Sequence, residues 1–427
     1  MNRLRREVEV FLGCPRSMQI LLLANMIYAL ILPVIEIFVA AYVMRNSHAV
    51  DKVVTYQLSV YVATPVAFFL NGILLGRVGV KHLYAAGMLL SGVAMTMLMR
   101  TGVLTPLGIG TSGLALGLAT GLFWANRGFL ALATTDDSNR NYFYGVETFT
   151  ATLAAVVVPA LVGWFIGGAA FYGWAGGTPN RAYRWVAIAA VALTLVSAVL
   201  LERGVFRNPS RTSFVFFRFH PLWRQMLQLA GLKGLAQGYM LTAPAMLIMM
   251  LVGQEATLGT VQAIGGVFSA GVLYAVGRMT APRHRSVVFA AGLVLFFLGA
   301  VTNALLFNAA GVLVFISCLL LAKPLLDLAY NPIELRVVDV VSRLERRSEY
   351  AYFFNHEFGL FAGRFMGCVL FLAIVQWGSA VAALKYALPI VALLQLLSIW
   401  VAGNISRGLK LADAALSTGF TGPAAAS

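Results

Sequence analysis

The segment that decides the fold is residues 286–307, which reads SVVFAAGLVLFFLGAVTNALLF and contains no charged side chain. A helix of this length covers the hydrocarbon core of a bilayer, which is about 30 Å thick. Inside hydrocarbon every backbone amide has to be paired within the chain, and an α-helix does this with its own residues. The segment therefore predicts a membrane-spanning helix.

The rest of the chain has a similar composition. Hydrophobic residues make up 60% of the 427 residues and charged residues 11%, whereas about a quarter of the residues of a soluble domain are charged. Apolar runs of suitable length recur about twelve times. Their approximate spans are 18–44, 54–76, 82–100, 105–131, 141–168, 184–201, 222–251, 256–277, 286–307, 309–331, 350–377 and 380–403. We predict an all-α polytopic membrane protein.

The positions of lysine and arginine predict how these helices are oriented. With the N-terminus in the cytoplasm, 22 of the 31 basic residues fall at cytoplasmic positions, six fall outside, and Lys233, Lys323 and Arg364 lie within helices. This bias is the positive-inside pattern, and it requires an even number of helices with both termini cytoplasmic. The excess of arginine and the short loops favour a bacterial inner membrane. Basic residues spread over short loops do not indicate nucleic-acid binding.

Two short motifs recur in the second half of the chain. Residues 142–147 read YFYGVE and residues 352–357 read YFFNHE, so three of six positions are identical. A Gly-Arg pair follows the second apolar run at 76–77 and the eighth run at 277–278. Two independent matches at similar spacing indicate an internal repeat of the kind found in transporters.

The longest polar interval, at 202–221, lies between the two copies of each motif. It carries four arginines, and Pro209 and Pro221 interrupt any helix that enters it. We predict that this interval is a cytoplasmic linker between two six-helix halves, residues 1–201 and residues 222–427.

The segment after the second apolar run reads GILLGRVGVK at 72–81. It resembles the loop motif of the major facilitator superfamily, Gly-x-x-x-Asp-Arg-x-Gly-x-Lys/Arg, with Gly76 in place of the acidic residue. The number of helices, the mid-chain linker and the repeat are similar to that family over essentially the whole chain. The resemblance implies two pseudo-symmetric six-helix bundles that move a solute by alternating access.

Two glutamates of the repeat are candidates for a cytoplasmic gate. Glu147 and Glu357 lie about two turns inside the predicted cytoplasmic ends of their helices. Charged side chains at such a depth need a partner or water. Basic residues at a similar level are Arg77 and Arg127 in the first half, and Arg278 and Arg336 in the second. These residues predict either gate networks that break during transport or static contacts that orient helix ends.

Glu36 and Asp327 are candidates for proton coupling. Glu36 lies deep in the first helix, past Pro33, and that helix offers it no basic neighbour. A lone carboxylate at this depth suits reversible protonation, unless another helix supplies a partner. Asp327 lies four residues after Lys323, so the two side chains share a helix face and can pair directly.

The candidate substrate-binding residues combine bases within helices with polar and aromatic side chains. They are Tyr28, Trp124, Asn126, Lys233, Gln237, Lys323 and Arg364. The three bases favour a substrate that is anionic or zwitterionic, although they could instead neutralise the acids within the helices. The aromatic side chains favour an amphiphilic, drug-like compound.

These patterns favour a monomeric secondary active transporter over other classes of protein. The chain has no Walker-type loop for ATP, so an ion gradient, most simply of protons, would drive a small-molecule substrate. Drug export by proton antiport is the alternative to uptake of a metabolite. A sensor or assembly factor could keep the same fold without transport. No nucleophile–base pair indicates an enzyme, and scattered histidines and cysteines predict no metal or cofactor.

Overall fold

The computed structural model describes residues 9–100, 104–135, 139–208, 215–279, 285–347 and 349–417. Nearly all of these residues are helical, and none of them lies in a β-strand. The long helices are α1 Arg16–Ser47, α2 Val50–Leu74, α3 Val80–Arg100, α4 Pro106–Thr134, α5 Arg140–Tyr172, α6 Pro179–Glu202, α7 Pro221–Leu251, α8 Glu255–Met279, α9 Arg285–Leu306, α10 Ala309–Glu345, α11 Glu349–Trp377 and α12 Ala380–Ala412.

Eleven helices in the described part of the chain are long and apolar enough to cross a membrane. The protein is therefore a polytopic helical membrane protein, as the composition predicts. The remaining predicted span, at 256–277, coincides with α8, a helix of 25 residues. Several side chains of α8 lie outside the described residues, and α8 is not among the eleven.

The helix contacts follow one pattern in the first six helices and again in the last six. In the first set α4 packs against α2 and α3, and α6 packs against α1 and α3. In the second set α10 packs against α8 and α9, and α12 packs against α7 and α9. The two sets meet through α2 with α11 and through α5 with α8. Adding six to each helix number converts the first pattern into the second.

Glycines bring two pairs of helices into backbone contact. On α4, Gly113, Gly117 and Gly121 lie four residues apart, so they share one face, which packs against α2. A methyl group at Gly117 would overlap the carbonyl oxygen of Val60. Small residues at this spacing let membrane helices approach closely, which increases van der Waals contact between them.

The second close pair is α7 with α11. A methyl group at Gly234 would overlap the carbonyl oxygen of Leu360, and one at Gly363 would overlap that of Gly231. The two backbones therefore touch over more than one turn. This contact fixes the positions of α7 and α11, which carry several of the candidate site residues.

Helices α1 and α7 are both interrupted near their middle. α1 is helical over Arg16–Ala29, turns, and continues through a π-helical turn at Val34–Phe38. α7 is interrupted between Met240 and Ala243. The sequences at the two interruptions, YALILP at 28–33 and YMLTAP at 239–244, share Tyr, Leu and Pro. Proline lacks an amide hydrogen and its ring crowds the preceding turn, so the α-helical hydrogen-bond pattern is interrupted just before each proline. This third repeat is not among those predicted from the sequence.

Candidate functional site

Two cavities lie among the helices near the interruptions of α1 and α7. The central cavity has a volume of about 420 Å³ and is lined by residues of α1, α2, α4, α7, α9, α10, α11 and α12. The side cavity has a volume of about 330 Å³ and lies among α1, α5, α7, α8 and α10. Most predicted site residues line the central cavity, namely Tyr28, Glu36, Trp124, Lys233, Gln237, Lys323, Asp327, Glu357 and Arg364.

Asn126 is the predicted substrate residue that lies elsewhere. Its side chain is fully buried between α4 and α2, where its amide nitrogen donates to Asn71 Oδ1 at 2.6 Å. The amide of Asn71 donates back to Asn126 Oδ1 at 3.2 Å. This reciprocal pair satisfies both amides, so Asn126 links two helices instead of facing a solute.

Asp327 pairs with a base on another helix. Lys233 Nζ on α7 lies 3.3 Å from Asp327 Oδ1 on α10. The same ammonium group lies 3.8 Å from the centre of the Tyr330 ring, which adds a cation–π contact. The spacing along α10 allowed Asp327 to pair with Lys323 of its own helix. In the structure Asp327 pairs with Lys233 of α7 instead.

Glu357 pairs with Arg364, which lies seven residues further along the same face of α11. Arg364 Nη1 lies 2.6 Å from Glu357 Oε1, and Arg364 Nε donates to Gln237 Oε1 on α7 at 3.0 Å. The guanidinium carbon lies 5.1 Å from the centre of the Tyr61 ring on α2. Tyr61 also donates its hydroxyl to the Gln237 carbonyl at 2.7 Å. This cluster therefore joins the two sets of six helices at the cavity wall.

Glu147 pairs with Arg127, one of the two basic residues that the sequence offered at its level. The distances from Arg127 Nη2 and Nε to the carboxylate are 2.6 and 3.1 Å. Asn25 on α1 donates to Glu147 Oε1 at 2.9 Å, and Tyr84 on α3 donates to Asn25 Oδ1 at 2.7 Å. All of these residues belong to the first six helices, so the network holds α1, α3, α4 and α5 together. Asn25 and Tyr84 were not predicted as its members.

Of the other predicted gate residues, the structure describes the side chains of Arg77 and Arg336, and both are exposed. Arg77 is exposed in the turn after α2. Arg336 Nη1 lies 3.2 Å from Asp339 Oδ2 on the same helix. The side chain of Arg278 lies outside the described residues.

A further buried chain of polar groups runs beside the central cavity. The Tyr330 hydroxyl lies 2.6 Å from His356 Nε2, and His356 Nδ1 lies 3.3 Å from Glu334 Oε1. The sequence held one signal for this chain, because His356 stands in the second copy of the repeated motif where the first copy has Val146. Since the first copy folds with an apolar residue at this position, the helix packing does not by itself require a polar one in the second copy.

Glu36 and Lys323 are placed differently from the other charges of the cavity. Glu36 lies in the π-helical turn of α1, and both side chains are exposed to the space between the helices. Both line the central cavity and also the side cavity. Within the described ranges neither side chain has a hydrogen bond or an ion pair. A π turn often occurs at a functional site, because the extra residue re-aims a side chain.

One ion pair that the sequence did not predict joins the helix sets at one end of the bundle, which we call the Arg45 end. Arg45 at the end of α1 binds Glu255 at the start of α8, with Nη2 at 2.6 Å from Oε2. Glu255 is 1% exposed. Close by, a methyl group at Gly163 of α5 would lie 2.7 Å from the Glu255 carbonyl oxygen. The opposite end, which contains the turn at Arg77, we call the Arg77 end.

No protein-family model matches the chain. The chain is similar to the uncharacterized protein YqgE of Bacillus subtilis (strain 168), with 23% identity over 375 residues. The match covers 84% of this chain and 83% of that relative. Because the relative has no described activity, the function has to be argued from the cavities and their charges.

Proposed function

We propose that this protein is a secondary active transporter of the major facilitator type, which moves a small organic solute by alternating access with protons as the coupling ion. The observation that carries this proposal is the central cavity, which has charged side chains and is lined by both sets of six helices. Charged side chains within membrane helices are energetically costly, so they are rare. Where they occur, they commonly mark substrate and ion pathways.

The contact pattern supports two bundles that move as units. If helices α1–α6 and α7–α12 form the bundles, α2 with α11 and α5 with α8 are the two equivalent contacts between them. Repeats of this kind place the substrate site at their interface, often where helices are interrupted. The paired interruptions of α1 and α7 lie beside the central cavity, as this arrangement requires.

In this proposal the Arg77 end faces the cytoplasm and the Arg45 end faces outside, an orientation that the positive-inside pattern supports. The Arg45–Glu255 pair and the close approach of α5 and α8 at Gly163 then close the external side. In this proposal the conformation is one that faces the cytoplasm. Opening toward the outside requires Arg45 to leave Glu255.

Proton coupling is assigned to Glu36 and Asp327. Glu36 has no ion pair among the described residues, so its proton can be exchanged without breaking one. Asp327 can release Lys233 when it is protonated. The two residues lie on α1 and α10, one in each proposed bundle.

The test uses the full-length protein in liposomes that contain a pH-sensitive dye. Organic acids, zwitterions and amphiphiles are added in turn, and we expect at least one to cause a proton flux. The Glu36→Gln variant should lose that flux by tenfold or more, because glutamine carries no exchangeable proton at this position. Glu9→Gln, outside the membrane helices, is the matched control. Proton flux that is unchanged in Glu36→Gln would contradict the role of Glu36.

Export of an amphiphile by proton antiport is the second candidate. Trp124, with 46% of its surface exposed, and Phe123 line the central cavity, which favours an aromatic or apolar solute. The sign of the dye signal separates the candidates. Uptake with protons acidifies the lumen when solute is added outside, and exchange against protons makes it more alkaline.

A further inference from the structure

The charges on the wall of the central cavity balance. Of the described residues, those lining it include three acids and three bases, namely Glu36, Asp327, Glu357, Lys233, Lys323 and Arg364. Four of these form two ion pairs, one at 3.3 Å and one at 2.6 Å. Glu36 and Lys323 remain, and their charges cancel when both of them are ionised.

The paired bases are poor candidates for binding a charged substrate. Lys233 already neutralises Asp327, and Arg364 already neutralises Glu357 and is held by Gln237. A substrate would have to break these contacts and leave an acid within the membrane helices without its base, which is unfavourable. Lys323 is the base that can accept an anion without such a loss.

Glu36 shares its two cavities with other charged groups, most of which are already paired. The charged and titratable groups that share its cavities come from four other helices. They are Tyr56 and Tyr61 on α2, Lys233 on α7, Lys323, Asp327 and Tyr330 on α10, and Glu357 and Arg364 on α11. The side-cavity residues of α5 and α8 are uncharged, for example Thr152 and Gln262. Among the described residues, Lys323 is thus the base on the wall of this cavity that has no ion pair.

We propose that the substrate is an organic monoanion whose acidic group binds Lys323, and that one proton bound to Glu36 accompanies it. This inference rests on the proposed transport function. An anion at Lys323 adds one negative charge to a neutral cavity, and a proton on Glu36 removes one. The loaded cavity is then neutral again, which avoids the cost of carrying a net charge through the bilayer.

The side cavity supplies the place for the apolar part of the anion. Its wall includes Pro33, Ile37, Leu241, Leu319 and Leu320. Glu36 and Lys323 lie on the part of the wall that the side cavity shares with the central cavity. An apolar pocket with a few convergent polar groups is the usual form of a small-molecule site. The anion therefore has an aliphatic or aromatic body beside its acidic group.

The first test needs no substrate. Dicyclohexylcarbodiimide modifies protonated carboxyl groups in apolar surroundings, and peptide mass spectrometry measures the modified fraction of each acid. In the full-length protein in nanodiscs at neutral pH, Lys323→Gln should raise the modification of Glu36 several-fold, because a lone carboxylate in the cavity takes up a proton. The matched variant Lys233→Gln should instead raise the modification of Asp327. The charge balance is overturned if the modified fraction of Glu36 is unchanged in Lys323→Gln. It is also overturned if that fraction rises equally in Lys323→Gln and Lys233→Gln.

The second test uses octanoate and octylammonium as probes of the substrate class. Octanoate should raise the midpoint of thermal unfolding of the wild-type protein, and Lys323→Gln should abolish that shift while Lys385→Gln keeps it. Calorimetry in two buffers with different heats of ionisation should show uptake of one proton per octanoate, and none in Glu36→Gln. A larger shift with octylammonium, an equal octanoate shift in Lys323→Gln, or no octanoate shift at all overturns the assignment of an organic anion.

The two levels of the proposal can fail separately. If modification and octanoate binding follow the expectation but no solute causes a flux in liposomes, the anion site stands and the transport function is wrong. If a flux occurs but the modified fraction of Glu36 does not change in Lys323→Gln, transport stands and the coupling of Glu36 to Lys323 is wrong.

Discussion

The two copies of the Tyr-Phe motif end in glutamates that have different surroundings. Glu147 is bound by Arg127 of α4 and Asn25 of α1, and it is not among the residues that line the central cavity. Glu357 lines that cavity and is bound by Arg364 of its own helix. The repeat therefore places the same carboxylate twice, once in a network that joins helices and once in the wall of the candidate site. Differences between the copies locate function better than their similarity does.

The helices that carry these glutamates also pack differently. α11 touches α7 through Gly363, whereas the position of α5 that corresponds to it by the repeat is Leu153. Gly234 of α7 corresponds in the same way to Leu23 of α1. Leu23 and Leu153 are both exposed, and the Asn25–Glu147 hydrogen bond links α1 to α5. The α7–α11 pair is thus in backbone contact, whereas the corresponding α1–α5 pair is joined by the polar network of Glu147.

The largest expected effect breaks the polar network of the first half. Arg127→Gln leaves Glu147, which is 8% exposed, without its base. We expect a loss of about 3 kcal/mol in the free energy of unfolding, near the lower end for a broken buried pair because Arg127 is partly exposed. Arg364→Gln should cost less than half as much, since a cavity of about 420 Å³ admits water to Glu357.

Denaturant unfolding of both variants in the same detergent measures this difference. The double variant Arg127→Gln with Glu147→Gln should recover most of the loss, because no buried charge remains without a partner. Equal losses in Arg127→Gln and Arg364→Gln would show that the two glutamates have equivalent surroundings after all.

A smaller effect is expected where the second half packs by backbone contact. Gly363→Ala places a methyl group against the carbonyl oxygen of Gly231, so α7 and α11 have to move apart. Overpacking of this kind costs about 1–3 kcal/mol. The control Gly145→Ala, on α5, meets nothing within 4 Å and should be neutral or slightly stabilising. Thermal unfolding midpoints that fall equally in the two variants would contradict a contact specific to α7 and α11.

The sequence predicted the features of the protein that depend on composition and on local order. Apolar runs predicted the membrane helices. The similar levels of Glu147, Arg77 and Arg127 gave two candidate partners for Glu147, and Arg127 is the one that binds it. The end of α10 was predicted at residue 331, but the helix continues to Glu345 through Pro324 and Pro332. Proline weakens a membrane helix without ending it when neighbouring helices support the freed backbone groups.

The pairing of charges between distant helices could not be predicted. Lys233 and Asp327 are 94 residues apart, and their contact depends on how α7 and α10 are rotated. That rotation is set by packing, for α7 by the glycines that face α11. Asn126 shows the same limit, because its partner Asn71 lies on a different helix, 55 residues away. The interruptions of α1 and α7 could have been predicted, since the repeated Tyr-x-Leu-x-x-Pro is present in the sequence.

The smallest expected effect lies at the exposed end of α10, which carries Arg336. Like Arg127 in the first half, Arg336 is a predicted gate residue. Asp339 lies 3.2 Å from Arg336 and 2.7 Å from Arg343, and the side chains of these two arginines are 48% and 69% exposed. Exposed pairs of this kind contribute about 0.5 kcal/mol, so Asp339→Asn should lower the free energy of unfolding by no more than that. The difference should vanish in about 1 M salt, where charges are screened within about 3 Å. The loss in Arg127→Gln should persist at the same salt concentration, since its pair with Glu147 is largely shielded from solvent. A loss in Asp339→Asn that exceeds 2 kcal/mol or resists salt would mean that the two halves hold their gate residues alike.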